Sequence, residues 1–307
     1  MSNYTDNQVI EDSNHVWNKL ANLIPSGSKV LDIGCSSGNF GEFLIRQKAC
    51  QVDGVEPDKK DADIASQKLG KVWSFFIDDP ANVAQIKGKY DVLVFADVLE
   101  HLVHPDEVLK LVKQLVNPGG RVVFSVPNMA HISVRLSLLS GDFKYTETGL
   151  LDKTHLHFYD NDTVEALFSD AGMVLADLDA VIYRYPDSLI KKQLNKLGFT
   201  ASKSGLETLN SPSATTFQYI GSASYSKKTP KHAPLPNTAL SQDLQVLVDD
   251  LGEKEKDIKN RDSLIKKKNA DIVDLKNRLN DIEQSRSYKV TQKVTATIRS
   301  GLRLFRS

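Results

Sequence analysis

Four residues near the start of the chain have the types and spacing of a nucleotide-binding turn. Asp32, Gly34 and Gly38 lie at the end of an apolar run of strand length, and Glu56 follows the next such run. Glycine lets the backbone turn and approach a ligand, and the start of the helix that follows favours a negative group nearby. A carboxylate at the end of the second strand can accept hydrogen bonds from both hydroxyls of a ribose. These residues therefore predict a site for a nucleotide-like ligand.

Two further carboxylates, Asp78 and Asp97, follow later apolar runs. Such runs alternate with stretches of helix length, which indicates an α/β fold of parallel strands with helices on both faces. Ligands of such sheets bind at the carboxyl ends of the strands. The predicted strands are Lys29–Ile33, Gln51–Val55, Val72–Ile77, Tyr90–Ala96, Arg121–Val126, Met173–Tyr183 and Thr215–Ser226, and the predicted helices are Glu11–Ile24, Asn161–Ala171 and four that start near Gly38, Asp58, Pro80 and Pro105.

Several motifs resemble those of class I S-adenosylmethionine-dependent methyltransferases. The resemblance covers about residues 12–226 and implies a Rossmann-like, seven-stranded, mostly parallel sheet whose last strand is antiparallel. It also implies S-adenosylmethionine as cofactor, and Ser36 stands where many members carry glycine. A dinucleotide-dependent dehydrogenase is disfavoured, because a third glycine and a second nucleotide-binding half are missing. The motifs are Asp32-x-Gly34-x-Ser36-x-Gly38, Glu56-Pro57, Asp91 to His101 and Asn117-Pro118-Gly119-Gly120, and the implied cofactor contacts are Asp32, Gly34, Ser36, Gly38, Glu56, Asp78 and Asp97.

Transfer of a methyl group to a hydroxyl requires an acceptor held in line and a base that takes its proton. Histidine can be neutral near pH 7 and serve as that base. We predict His155 as the base and His101 as the second candidate; His131 and His157 also lie near the predicted strand ends. A divalent metal is not favoured, because Asp97 stands where the metal-dependent members of the class carry glutamate.

The acceptor is predicted from two short resemblances. Residues 152–159 resemble a segment of bacterial methyltransferases of cell-surface polysaccharide (O-antigen type) pathways, and residues 285–294 resemble the basic end of bacterial glycan-assembly enzymes. Together they imply a saccharide acceptor, free or lipid-linked, methylated on a terminal hydroxyl or phosphate. One alternative is a quinone-type or other small-molecule O-methyltransferase. Another is a scaffold without activity that recruits a glycosyltransferase.

The sequence predicts a chain of four parts: a methyltransferase domain at 1–226, a linker rich in proline and lysine at 227–239, a coiled coil at 240–285, and a basic amphipathic tail at 286–307. An apolar residue recurs every seven positions in the third part, which is typical of a coiled coil and predicts a homo-oligomer, a dimer or a trimer. The tail predicts peripheral contact with a membrane or a partner. The repeating positions are Leu244, Leu251, Ile258, Ile265, Ile272 and Leu279.

Charge and composition limit the other function classes. Residues 227–307 carry 18 Lys and Arg against 11 Asp and Glu, whereas residues 1–226 carry 21 against 28. The acidic first part lacks a basic, aromatic-rich stripe, which disfavours nucleic acid as a partner. Two cysteines and no signal-like segment predict a cytoplasmic protein, peripheral on the inner face of the cytoplasmic membrane.

Overall fold

The computed structural model describes residues 12–225, 260–261, 263–281 and 289–296. The chain divides into two compact units, Met1–Ser241 and Gln242–Ser307. In the first unit seven strands form one sheet in the order β3-β2-β1-β4-β5-β7-β6, which confirms the predicted Rossmann-like architecture. The strands are β1 (Lys29–Ile33), β2 (Gln51–Val55), β3 (Val72–Trp73), β4 (Tyr90–Ala96), β5 (Val116–Pro127), β6 (Val174–Ile182) and β7 (Thr216–Ser224).

Alternation along each strand places apolar side chains on both faces of the sheet. In β1, Leu31 and Ile33 belong to one buried cluster, whereas Val30 belongs to another. Complete burial of such side chains stabilises the fold by roughly 1.5–3 kcal/mol each. The helices that supply the other side of these clusters are α1 (Val16–Asn22), α2 (Asn39–Lys48), α3 (Lys59–Ala65), α4 (Pro80–Val83), α5 (Pro105–Val112) and α7 (Asn161–Asp170).

The last strand, β7, is antiparallel to both of its neighbours, as the resemblance implied. It lies between β5 and β6, so Gly221 faces Phe124 across the ladder. A Cβ on Gly221 would lie 2.6 Å from the Phe124 ring, which leaves no space for a side chain. Because β7 runs antiparallel between β5 and β6, its start lies at the same sheet edge as the ends of β4 and β5.

The predicted third strand is too long by four residues, because only Val72 and Trp73 pair with β2. This strand lies at the edge of the sheet, and among the described residues it pairs with β2 alone. Phe75 and Ile77 pack on the apolar cluster next to it instead. The apolar run therefore reflects burial without strand pairing.

Two segments outside the predicted helices and strands contain helices. One holds α6 (Ile132–Leu139), and the other holds α8 (Asp187–Lys196), α9 (Lys203–Leu209) and α10 (Pro212–Thr215). The apolar residues on these helices form a third hydrophobic cluster of their own, apart from the two that cover the sheet. We call this the cover cluster; its buried members are Ile132, Leu136, Ile190, Leu194, Leu206 and Ala214.

The described residues of the second unit are helical at 260–261, 263–281 and 289–296. Ile265, Ile272 and Leu279 of the heptad pattern are exposed on the single chain. A long coiled coil is not supported by these short helices and stays a prediction, and the linker at 227–239 lies outside the described residues. In the described part of the chain, no helix combines the length and the apolar character required to cross a membrane.

Candidate active site

The turn between β1 and α2 uses three residues in the left-handed backbone region. Gly34 and Gly38 have φ values of 73° and 77°. A Cβ on Gly34 would lie 2.5 Å from Cγ2 of Val98, and one on Gly38 would lie 3.0 Å from Cα of Ala65. The turn therefore requires glycine at both positions for conformation and for space.

Ser36 is the third such residue, with φ at 47°. This conformation costs a residue with a side chain about 1–2 kcal/mol. Two hydrogen bonds hold Ser36 in place: its amide donates to Oε2 of Glu56 at 2.9 Å, and its hydroxyl donates to Oδ2 of Asp61 at 3.2 Å. Serine in place of glycine thus ties the turn to the ends of β2 and the start of α3.

The Glu56 carboxylate is buried at the end of β2 and accepts two backbone hydrogen bonds. Oε2 accepts from the Ser36 amide and Oε1 from the Asp58 amide, both at 2.9 Å. A carboxylate offers about four acceptor positions, so two remain. Glu56 can therefore hold the two hydroxyls of a ribose while its orientation is fixed by the backbone.

Asp32 lies beneath the turn, 2 % exposed, and its Oδ2 has no hydrogen-bond partner within the described residues. Burial, reinforced by the nearby Glu56 carboxylate, raises the pKa of Asp32 to about 7. A buried carboxylate without a partner is costly, and a cationic ligand would offset that cost. This orphaned oxygen fits the positively charged methionine part of S-adenosylmethionine.

Asp97, at the end of β4, has φ at 57°, a strained conformation outside glycine. Its Oδ1 accepts from the Ser125 hydroxyl at 3.0 Å and from the side-chain amide of Gln218. Although solvent reaches Asp97 through the cleft, the surrounding protein reduces its hydration and raises the pKa of its carboxyl, an effect these hydrogen bonds oppose. Ser125 and Gln218 were not predicted as site residues.

One cleft joins these residues. A cavity of about 180 Å³ is lined by Trp17, Asp32 and Ser36, and one of about 270 Å³ is lined by Glu56 and Asp78 with apolar neighbours. Gly34 and Asp97 line both cavities. Six of the seven predicted cofactor contacts therefore line one cleft. The seventh, Gly38, lies behind it in the turn. Their contact with the cofactor stays a prediction.

The two predicted bases, His101 and His155, lie next to each other. The rings of His101 and His155 have centroids 4.9 Å apart. His101 follows β4 in a short 3₁₀ turn, Leu99–His101, and lines the larger cavity. His155 is half-buried, and burial together with the neighbouring His101 lowers the pKa of its imidazole. His155 is therefore neutral at pH 7 and able to accept a proton.

Glu100, in the same turn, is 1 % exposed, and its Oε2 has no hydrogen-bond partner in the described part of the chain. Burial and the nearby Asp97 raise the pKa of its carboxyl well above the usual range. One donor atom from each of Glu100, His101 and His155 lies within 4.8 Å of the others, a spacing that one cation could span. The preference against a metal stays a prediction.

The other two histidines have structural contacts. His131 is 1 % exposed and caps α6: Nδ1 accepts from the Ser133 amide at 3.2 Å, while Nε2 donates to the Tyr183 carbonyl at 3.0 Å. His157 donates from Nε2 to the Val103 carbonyl at 3.1 Å. Neither histidine lines the cleft, which leaves His101 and His155 as the candidates.

Comparison with known proteins identifies the family. A family model described as a methyltransferase domain matches residues 7–178. The ubiquinone biosynthesis O-methyltransferase of Proteus mirabilis is 34% identical over 106 residues, 33% of this chain and 43% of that protein, so the match spans less than half of that relative. The corresponding enzyme of Xanthomonas axonopodis pv. citri is 26% identical over 170 residues, 53% of this chain and 70% of that protein.

A solved structure of a SAM-dependent methyltransferase from Archaeoglobus fulgidus aligns with 71% of this chain and 96% of its own, at 17% identity and a TM-score of 0.46. The family match covers more than half of the chain and the whole glycine turn. The chain therefore belongs to the methyltransferase-domain family.

Proposed function

We propose that this protein methylates a hydroxyl oxygen of a small, ring-bearing acceptor of the phenol or quinol class. The observation that carries the proposal is the pairing of His101 with His155 beside Asp97 at the carboxyl end of β4. A neutral imidazole at this place can take the proton of a hydroxyl, whereas a methyltransferase acting on a softer nucleophile has less need of a base.

S-adenosylmethionine supplies a methyl group on positively charged sulfur, so the new C–O bond forms as the C–S bond breaks and its electron pair stays on sulfur. Asp32 would hold the cationic end of the cofactor, Glu56 its ribose, and Asp78 its base. The histidine pair takes the proton that the acceptor hydroxyl releases. Fixed geometry in the cleft converts an encounter of two molecules into a reaction within one complex.

Two observations support a small apolar acceptor. The curated relatives act in ubiquinone biosynthesis by their names, which favours this alternative over the saccharide acceptor predicted from the sequence. Large apolar side chains are also exposed along the segment that carries His155, where an aromatic ring could pack. These side chains are Phe143, Tyr145, Leu156 and Phe158.

A saccharide is the second candidate acceptor, because a small-molecule enzyme has no evident use for the heptads at 240–285 or the basic tail at 286–307. The homo-oligomer, the membrane contact and a glycosyltransferase partner belong to this second candidate. The scaffold alternative is less favoured, since a protein without activity has no physical need for Gly34, Gly38 and Glu56.

The test is methyl transfer from ¹⁴C-methyl-labelled S-adenosylmethionine by the full chain to matched acceptors: a catechol, a prenylated phenol, and a terminal sugar on a lipid carrier. We expect transfer to the phenolic compounds, and we expect H101Q to reduce kcat by 10²–10⁴-fold, the contribution of a general base. H157Q is the matched control and should change kcat little. Transfer to the sugar alone would replace the proposal by the second candidate.

A further inference from the structure

We infer that His101 is the residue that takes the acceptor's proton, and that Asp152 and Thr154 are positioning residues that hold its ring with the lone pair on Nε2. This inference rests on the proposed function and deepens it. It also reverses the order of the two candidate bases, since the sequence favoured His155. The donors and acceptors around the two rings determine which nitrogen carries the proton.

The Thr154 hydroxyl has one proton, and its place is determined by Asp152. The hydroxyl lies 2.7 Å from Oδ1 of Asp152, and the Thr154 amide lies 2.8 Å from the same oxygen. Burial raises the pKa of Asp152, but the hydrogen bonds from Thr154 outweigh it, and the net pKa is lowered. An ionised carboxylate only accepts hydrogen bonds, so the hydroxyl donates to Asp152.

Nδ1 of His101 must then carry a proton. It lies 3.1 Å from the Thr154 hydroxyl oxygen, whose own proton is already donated, and 3.2 Å from the Thr154 carbonyl oxygen. Both oxygens can only accept from the ring at this point. A neutral imidazole has one N–H, so Nε2 of His101 is the acceptor.

The Asp152 carboxylate also anchors the far end of this chain of hydrogen bonds. When His101 gains a proton on Nε2, positive charge spreads over both nitrogens, and the Nδ1–H bond to Thr154 strengthens. The hydroxyl passes this polarisation to the carboxylate behind it, as in a chain of charge-assisted hydrogen bonds. Asp152 and Thr154 act on the acceptor only through His101.

His155 lacks such support. Its Nδ1 donates to the Leu150 carbonyl at 3.2 Å, which leaves Nε2 as an acceptor as well. No carboxylate is hydrogen-bonded to this ring among the described contacts. Asp152 and Asp97 favour its charged form without bonding to it, but burial and the neighbouring His101 outweigh them, so the pKa of His155 is lowered. His155 is therefore less able to hold the transferred proton, and it serves to pack against the His101 ring.

The first test is a spectroscopic signature that needs no acceptor. In ¹⁵N-histidine-labelled full chain, with His101 assigned from H101Q, the long-range ¹H–¹⁵N spectrum should show Nδ1 protonated and Nε2 unprotonated at a pH where the ring is neutral. T154A leaves only the backbone carbonyl of residue 154 to accept from Nδ1, so it should populate the other tautomer in part, and T154S should restore the original pattern. T208A, which removes an exposed threonine hydroxyl elsewhere, is the control.

The second test is kinetic. T154A should lower kcat about tenfold with little change in the acceptor KM, less than the loss on removing the base because the Thr154 carbonyl still accepts from Nδ1. T154S should recover the rate, and D152N should lie between T154A and the wild type. A His101 protonated on Nε2 in the unaltered protein would overturn the inference. So would an unchanged kcat in T154A. If no hydroxyl compound is methylated, the proposed function fails, and the spectrum alone decides the tautomer.

Discussion

The backbone of Gly34 packs directly against the side chain of Val98, so that a Cβ on Gly34 would lie 2.5 Å from Cγ2 of Val98. This contact joins the glycine turn after β1 to the residue that follows Asp97. The glycine turn and the residue after Asp97 are therefore in close contact. A side chain at position 34 would force the Val98 side chain to shift, directly beside Asp97.

We expect G34A to reduce cofactor affinity and to destabilise the protein by about 1–3 kcal/mol more than G172A, since overpacking adds to backbone strain. Gly172 has φ at 69° and open space around its Cβ position, so it shares the backbone strain without the clash. Urea unfolding and calorimetric titration of S-adenosylmethionine measure the two effects. The double variant G34A/V98A should not show this additional destabilisation. Equal destabilisation of G34A and G172A would contradict a clash with Val98.

From the raised pKa of Asp32 we expect a proton to be released when the cofactor binds. Its pKa of about 7 in the free protein lies above the usual value for aspartate, so below pH 7 the carboxyl is largely protonated. The positively charged cofactor favours the ionised form, so affinity should increase from pH 6 to pH 8. Calorimetry at pH 7 in buffers of different ionisation enthalpy measures the released proton. D32N should abolish the release, and the exposed D63N should retain it.

The same pKa predicts how the stability of the free protein depends on pH. A folded-state pKa above the unfolded value of about 3.9 means that the folded state binds the proton more tightly between these values. The stabilisation is fully present below pH 4 and is lost as pH increases through about 7. The free energy of unfolding of D32N should decrease less over this pH range than that of the wild type. An equal decrease in both proteins would mean that other groups cause the pH dependence.

Replacing Gln218 should weaken cofactor binding without unfolding the protein. Its amide donates to Asp97 from a strand 121 residues away along the chain. Q218L should raise the pKa of Asp97 further, and should weaken cofactor binding by about 1.5–3 kcal/mol if Asp97 acts in its charged form. Thermal unfolding checks that the fold persists, and exposed Q114L is the matched control. Unchanged affinity in Q218L would mean that Asp97 needs no support from β7.

Asn128 predicts a loss of stability. It is completely buried after β5, and its side-chain amide donates to the Ser213 carbonyl at 2.8 Å and the Thr216 carbonyl at 2.6 Å. N128A leaves buried carbonyls without partners, so the free energy of unfolding should decrease by about 2–4 kcal/mol. Urea denaturation measures this. N195A, at an exposed asparagine, should cost well under 1 kcal/mol, and a similar loss in both variants would argue against the buried contacts.

Metal removal separates two uses of the histidine pair. The three residues whose spacing could hold a cation, Glu100, His101 and His155, include both candidate bases, so a cation and a proton would compete for their ring nitrogens. We expect dialysis against EDTA to leave methyl transfer unchanged, with a buffer-dialysed sample as control. Activity that disappears and returns with added Mg²⁺ would assign these atoms to a metal.

The sequence predicts the centre of the sheet well because its strands are continuous apolar runs. The bounds of β1, β2 and β4 match the prediction. The helices of the cover cluster were missed for different reasons: α6 is short and largely apolar without a helical period, α8 and α9 carry few apolar residues, and α10 is only a single turn that begins with Pro212. The carboxylates at the strand ends could be predicted because each directly follows an apolar run. Gln218 could not be predicted as a site residue, since a polar residue in a strand gives no local signal for a partner in a distant strand.

The cover cluster has a consequence for how this enzyme can change. Its buried side chains pack among themselves, apart from the two clusters that hold the sheet. None of its buried members lines the two cavities of the cleft, so substitutions there can change the packing of these small helices while the glycine turn and its carboxylates keep their places. This part of the molecule can therefore vary in sequence without disturbing the residues that would hold the methyl donor.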